Sequence, residues 1–181
     1  MNTANAQEFL QSLYHHLSIN YPKFYKMDML CKLGFLATEI LLQPSVVLDK
    51  YDPYKIGVIL SNAQSSLDAD CKFHATMNTN PSPSLFVYTL PNILIGEICI
   101  RHQIKGESAF FVFEKFKAVF LEKYVESLFN NNNLQACIVG WVDLLGEDYK
   151  AVLFYLEKEK SENAINFTAE NISKIYQIEN G

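Results

Sequence analysis

Apolar residues recur along the chain at two spacings, one typical of helices and one typical of strands. Spacings of three and four positions predict an amphipathic helix over residues 4–17. A second helix, residues 28–42, is apolar around most of its circumference and should be buried on more than one side. It stops at Gln43-Pro44 because proline disfavours a helical residue before it. The same reasoning predicts helices over residues 88–103, 115–129 and 169–176.

Short apolar runs predict four strands. Residues 54–60 (YKIGVIL) form the predicted central strand, and residues 108–113 follow a turn at Gly106. Residues 135–143 and 151–157 are joined by Gly146-Glu147-Asp148 as a hairpin. Residues 61–70 are polar and predict a loop, with Asp70 as the N-cap of a helix. Helices alternating with strands, and a final hairpin, predict an α/β fold with a mixed sheet.

Composition favours a single folded domain. The chain of 181 residues is 49% hydrophobic with a net charge of −5, and it has no block of Lys and Arg residues. We therefore expect no nucleic-acid partner and no anionic-membrane partner. Residues 1–6 are polar and lack a basic segment before an apolar core, and charges interrupt the longer apolar runs. We expect a cytoplasmic protein without a signal peptide.

The residue types that bind metals or attack substrates are scattered. The four cysteines lie far apart, without metal-ligand spacing: Cys31, Cys71, Cys99 and Cys137. Free, partly buried thiols are the expectation. Asp68, Asp70 and His74 share one segment, but their spacing fits no ligand template. The sequence therefore predicts neither a metal site nor a cofactor.

One apolar helix carries three polar residues whose roles stay open at this point. Glu97 lies among isoleucines, so it either pairs with Arg101 four residues on or faces a crevice. A crevice would bring Asn92, Glu97 and His102 together and give a small enzyme a reaction centre. The first interpretation, an i,i+4 ion pair with a surface-facing His102 near the helix C-terminus, is the favoured one.

The segment 82–106, SPSLFVYTLPNILIGEICIRHQIKG, resembles the N-terminal half of β-ketoacyl synthases, members of the thiolase-like superfamily. The resemblance rests on Pro83, Asn92, Gly96 and Lys105-Gly106, and on the later strand CIVGWVD at residues 137–143. It covers most of residues 27–157. It implies half of a thiolase-like fold, with a mixed sheet of four or five strands and helices on both faces. Residues 27–160 would form this domain, with a helical extension at 1–26 and a tail with a short helix at 161–181.

The chain departs from the family where the nucleophile belongs. In the family, the strand after the glycine turn ends at a cysteine on a tight bend into a helix. The corresponding positions here are Glu114 and Lys115, and residues 109–121 contain no Cys, Ser or Thr. Neither side chain can form the acyl thioester that condensation requires. The family's catalytic histidines lie in its C-terminal half and have no counterpart here, so the resemblance implies a degenerate protein without catalytic residues.

Resemblance to half of a synthase also implies partners. A single half would leave an apolar face bare on the helices at 28–42 and 88–103, which predicts a homodimer or a complex with a ketosynthase, and possibly with an acyl carrier protein. The predicted dimer strand is Ser108, Ala109, Phe110, Phe111, Val112 and Phe113. The expected function is that of a non-catalytic accessory protein in fatty-acid or polyketide (aryl-polyene-like) biosynthesis. The alternatives are the small enzyme with the crevice and a purely structural homodimer.

Overall fold

Helices cover both faces of a four-stranded mixed sheet in the computed structural model, which describes residues 5–43, 48–159 and 164–178. The strands are β1 (Ile56–Asn62), β2 (Ser108–Val112), β3 (Ala136–Leu145) and β4 (Asp148–Glu157). Their order is β2-β1-β3-β4, with β1 parallel to both neighbours and β4 antiparallel to β3. The predicted α/β class and mixed sheet are confirmed.

Within the described residues, seven α-helices connect and flank these strands. They are α1 (Ala6–His16), α2 (Met29–Leu41), α3 (Leu67–Thr76), α4 (Pro83–Val87), α5 (Ile93–His102), α6 (Ala118–Asn130) and α7 (Ala169–Gln177). Asn5 and Glu8 form a reciprocal capping box at the start of α1, and the Asp28 side chain caps α2 through the Cys31 N–H. Three short 3₁₀ helices lie at Pro22–Lys26, Leu48–Lys50 and Pro53–Lys55.

Side-chain alternation along the strands divides the core between the two faces. Val58 and Leu60 of β1 point toward α1, α2 and α5 and join the larger cluster of buried residues. Ile59 of β1, with Cys137 and Val139 of β3, points toward α6 and α7. The sheet is therefore the middle layer of three.

The N-terminal segment is part of this core. Leu10 and Tyr14 of α1 and Phe24 of the first 3₁₀ helix are buried against α2, with the Tyr14 and Phe24 rings stacked 4.2 Å apart. The predicted division at residue 26 therefore coincides with no boundary in the packing of the described residues. Most of the bare apolar face predicted on α2 is absent, because α1 and the segment after it cover this helix except near Ile40, which is 46% exposed. On α5, Ile100 remains 64% exposed.

Several element boundaries differ from the sequence prediction. The polar segment after β1 contains α3, which begins after Ser66 and places Asp70 inside its first turn instead of at the N-cap. Its sequence, LDADCKFHAT, has too few apolar residues to show a helical period. The helix predicted from residue 88 begins only at Ile93, after Pro91, and the short α4 precedes it. The helix predicted from residue 115 begins at Ala118.

Gly106 sets how the chain enters β2. Its N–H donates to the Ile56 carbonyl at 3.1 Å, and a Cβ at this position would lie 2.3 Å from the same oxygen. Only glycine permits this approach of two backbones. The glycine turn that the sequence suggested is therefore a close contact between the starts of β1 and β2.

Candidate functional site

The junction between β2 and α6 is where the resemblance places a nucleophile. The Phe113 N–H donates to the Asn62 carbonyl at 2.9 Å and so extends the pairing of β2 with β1. Glu114 and Lys115 follow and are exposed to solvent. Phe116 instead packs against two aromatic residues, Trp141 and Tyr176.

An aromatic cluster fills the space beneath this junction. The Phe116 ring stacks on Tyr176 of α7 with 4.2 Å between ring centres, and it meets Trp141 of β3 edge-on at 6.1 Å. Lys150 places its ammonium 4.1 Å from the centre of the Tyr176 ring, in cation–π geometry. Trp141 itself is 3% exposed. The turn is thus held by packing, and its two charged side chains point away from the packed residues.

Glu114 and Lys115 present a carboxylate and an amine to solvent at this junction. Acyl transfer needs a thiolate or an activated hydroxyl, and neither a carboxylate nor an amine forms the thioester. No side chain caps α6, and its first turn holds no acidic residue. Glu114 and Lys115 line none of the cavities beside β2, beside Glu39 or along β4 among the described residues.

The predicted dimer strand is an edge strand of the sheet among the described residues. The Glu107 carbonyl accepts from the Val58 N–H at 3.2 Å, and Phe113 also bonds to β1. Because backbone groups alternate in direction along a strand, Ser108, Phe110 and Val112 direct their N–H and C=O groups outward. This edge is available for pairing with another strand.

The two sides of the β2 edge differ, with aromatic rings on one and a small cavity on the other. On the α6 side, Phe111 and Phe113 form an aromatic cluster with Phe120 and Tyr124, with ring-centre distances from 4.8 to 5.8 Å. Phe120 is 36% exposed. On the α5 side, a cavity of about 350 Å³ lies between α5 and β2, lined in part by Asn92, Gly96, Cys99, Ser108 and Phe110. A Cβ at Gly96 would meet no atom within 4 Å.

The candidate crevice does not form, because its three residues have different surroundings. Asn92 lines the cavity beside β2, whereas Glu97 is buried and its Oε1 lies 2.8 Å from Nζ of Lys23. The second oxygen of Glu97 is buried without a hydrogen-bond partner among the described residues. The predicted pair of Glu97 with Arg101 is therefore wrong.

His102 and Arg101 instead contact Glu39 of α2. Arg101 donates two hydrogen bonds to this carboxylate, at 2.9 and 3.1 Å, and Nε2 of His102 lies 3.1 Å from it. Burial alone would raise the pKa of Glu39, but the hydrogen bonds and charges of His102 and Arg101 outweigh burial and lower the pKa to about 2. The three side chains border a cavity of about 610 Å³. This group ties α5 to α2.

The cysteines are free thiols, and the surroundings of Cys31, Cys99 and Cys137 suppress the thiolate. Burial raises the pKa of Cys99 to about 11, and it raises the pKa of fully buried Cys137 further. Burial, with the nearby Asp28 carboxylate, also raises the pKa of Cys31. Only Cys71 is exposed.

Residues 5–43, 48–159 and 164–178 contain no group of three or more His, Cys, Asp or Glu side chains that could hold a metal ion. None of their helices has both the length and the apolar character that a membrane crossing needs.

Sequence reasoning missed the partners of the charged residues and the packing of Phe116. Lys23 is 74 residues from Glu97, and Glu39 is more than 60 residues from Arg101, so no local spacing signals either pair. The aromatic character of Phe116 and Tyr176 was a visible signal. No signal in the sequence indicated that the segment before α6 contacts α7 through these two rings.

No protein-family model matches the sequence, and no curated protein matches it either. Its fold is similar to that of solved structures. A chain of the ishigamide ketosynthase/chain length factor is 21% identical, with a TM-score of 0.63 over 77% of this chain and 45% of that chain. A chain of a type II polyketide synthase acyl carrier protein in complex with its ketosynthase bound to the hexaketide is 17% identical, with a TM-score of 0.55 over 78% and 47%. This chain thus spans about half the length of the chains it resembles. At these identities the likeness establishes the fold alone: the protein has the thiolase-like half fold that its sequence predicted.

Proposed function

We propose that the protein is a non-catalytic, ketosynthase-like accessory protein of polyketide (aryl-polyene-like) or fatty-acid biosynthesis. It binds a ketosynthase through the edge of β2 and carries out no condensation itself. The observation behind this proposal is the junction after β2, where Glu114 and Lys115 occupy the expected nucleophile position. Phe116 fills the space beneath it by stacking on Tyr176.

The edge of β2 supports the docking step. Its outward backbone groups need hydrogen-bond partners, and pairing with a strand of a second subunit supplies them. The partly exposed Phe120 and the half-exposed Val112 flank this edge, so pairing also removes apolar surface from water. The cavity beside Gly96 leaves room for a side chain of the incoming strand.

The structural neighbours support the choice of partner. One is a ketosynthase/chain length factor, and the other is an acyl carrier protein in complex with its ketosynthase. An acyl carrier protein is accordingly a second candidate partner, and a second copy of this chain is the alternative occupant of the β2 edge.

The missing nucleophile is tested by intact-protein mass spectrometry. The protein is incubated with an acyl carrier protein thioester, and a working ketosynthase serves as the positive control. We expect the acyl adduct on the control and none on this protein. A stable acyl adduct on any residue of this protein would contradict the non-catalytic assignment.

The docking surface is tested by light scattering after size exclusion, with the protein alone and mixed with a ketosynthase. Val112→Pro removes one outward N–H and leaves the pairing with β1 intact, while Val112→Thr keeps the N–H and the side-chain shape. Losing an interfacial hydrogen bond should weaken the complex about 3- to 10-fold. We expect this for Val112→Pro only. If both variants bind the ketosynthase equally well, the interface does not lie at β2. A stable homodimer that does not bind the ketosynthase would favour the structural homodimer.

The small-enzyme alternative lacks support from the site geometry. It requires Asn92, Glu97 and His102 to converge, and their contacts are with separate parts of the molecule.

A further inference from the structure

An apolar slot runs along the outer edge of β4, at the opposite end of the sheet from β2. Its volume is about 580 Å³, and the five consecutive residues 149–153 form its floor. One wall comes from α1 and α2, with Phe9 41% and Ile40 46% exposed. The other wall comes from the end of α7, where Ile178 is 65% exposed. The slot therefore lies in the plane of the sheet, between the two helical layers.

The outward backbone groups at the floor of the slot have no strand partner among the described residues. The Lys158 N–H donates to the Gln135 carbonyl at 2.9 Å, and the pairing of β4 with β3 continues from there without a bulge. Alternation along the strand then directs the N–H and C=O groups of Tyr149, Ala151 and Leu153 outward. No strand among the described residues pairs with this edge. A bare hydrocarbon ligand would leave these groups without partners, whereas an extended peptide satisfies them.

Charges around the slot are unevenly placed. The one charged residue in its lining is Lys150, whose ammonium already lies against the Tyr176 ring. At the β3–β4 hairpin end, Glu8, Glu147 and Asp148 are exposed carboxylates. They form no ion pair with any cation in residues 5–43, 48–159 and 164–178. An apolar occupant with basic residues at the hairpin end is complementary to this arrangement.

A second copy of the chain fits the slot poorly. Neighbouring strands pair at about 4.8 Å, but a second β4 would bring its own α1, α2 and α7 against these walls first. Five residues of strand span only about 17 Å, so a contact limited to this edge buries far less surface than the roughly 800 Å² that each partner buries in a stable dimer. A single extended segment without flanking helices meets neither obstacle.

We propose that the edge of β4 binds an extended, apolar segment of a partner polypeptide, about five residues long, as a fifth strand. Basic residues beside that segment lie against Glu8, Glu147 and Asp148. Main-chain hydrogen bonds to Tyr149, Ala151 and Leu153 supply the affinity, and the apolar walls select the side chains. This site is independent of the β2 edge.

Fluorescence anisotropy tests the proposal with two labelled probe peptides. Each contains Val-Thr-Val-Ile-Val, with two lysines at its N-terminus in one probe and at its C-terminus in the other, because strand direction decides which end meets the hairpin. We expect one of them to bind the full chain. Methylating alternate backbone nitrogens of that probe should weaken binding about 10-fold or more, since the lost hydrogen bonds are main-chain ones. Equal binding of the methylated probe, or no binding of either, would overturn the proposal.

Variants of the protein sharpen the test. Asp148→Lys is an exposed change that should weaken the lysine probe and strengthen a matched probe carrying two glutamates. Ala151→Pro removes one outward N–H and should weaken both, with its thermal unfolding measured to verify the fold. Val112→Pro at the opposite edge should leave probe binding unchanged. The idea is wrong if Asp148→Lys leaves the charge preference as it was, or if Ala151→Pro alters self-association instead of probe binding.

Discussion

The carboxylate of Glu39 joins α2 to the end of α5, and Glu39→Gln removes its charge while keeping its shape. The pKa of about 2 in the folded protein compares with 4.5 for an unperturbed glutamate. At about 1.4 kcal/mol per pKa unit, the difference corresponds to about 3 kcal/mol. Solvent contact at the 13%-exposed side chain and at the more exposed Arg101 reduces this to about 2 kcal/mol.

The sign of the pH dependence follows from the lowered pKa. Between about pH 5 and pH 2 the unfolded chain binds a proton at Glu39 and the folded chain does not, so acid favours unfolding. The contribution of Glu39 is fully present above about pH 5 and is lost as the pH falls toward 2. The variant should therefore be less stable at pH 7 by about 2 kcal/mol, and the two proteins should converge near pH 2.

Urea unfolding followed by circular dichroism, at several pH values from 7 to 2.5, measures this difference. Other carboxylates titrate equally in both proteins, so the difference isolates Glu39. Glu170→Gln is the matched control, because that side chain is 76% exposed in an i,i+4 pair with Lys174 and should change stability very little. The reasoning fails if Glu39→Gln and the wild type keep a constant stability difference across the whole pH range.

Four further predictions concern packing and reactivity. Gly106→Ala should destabilise the protein by about 2 kcal/mol or more in urea unfolding, because the new Cβ would meet a backbone oxygen 2.3 Å away. Gly96→Ala, in an open position of α5, should stabilise the protein by about 0.5–1 kcal/mol. Equal changes in stability for Gly96→Ala and Gly106→Ala would contradict this account. Phe116→Ala should cost about 2–3 kcal/mol by removing the stack beneath the β2–α6 junction, and a neutral result in the same assay would show that the stack is dispensable. Cys71 should react with a thiol reagent at once in the native protein and Cys137 only after unfolding, as peptide mapping of the labelled protein would detect; early labelling of Cys137 would refute its burial.

Local pattern was sufficient to predict the sheet. β1, β3 and β4 are apolar runs bounded by turn residues, and these signals depend on neighbouring residues alone. Helix α3 lacked such a signal because its buried residues are few, with only Asp68 and Ala69 buried in ten positions. Its position is decided by tertiary contacts, such as the hydrogen bond from the Gly146 N–H to Asp68.

The candidate site was predicted only in part. The order of residues predicts that Glu114 and Lys115 stand where the family has its nucleophile, and this stays a prediction; the structure adds that both side chains are exposed. The ion pairs of Glu97 and Arg101 could not be predicted. Their i,i+4 spacing suggested a pair with each other, but each binds a residue that is distant in the sequence. The partner of Glu97 is Lys23, in the segment packed on α2, and the partner of Arg101 is Glu39 of α2 itself.

The contact of Trp141 with Phe116 and Tyr176 also equips the protein with an optical reporter. Trp141 is the sole tryptophan of the chain, so all indole emission comes from one position between β3, the β2–α6 junction and α7. If α7 leaves the sheet, this indole loses Tyr176 and meets water, and its emission should move to longer wavelength. Docking of α7 can thus be followed in the unlabelled protein during any binding or unfolding experiment.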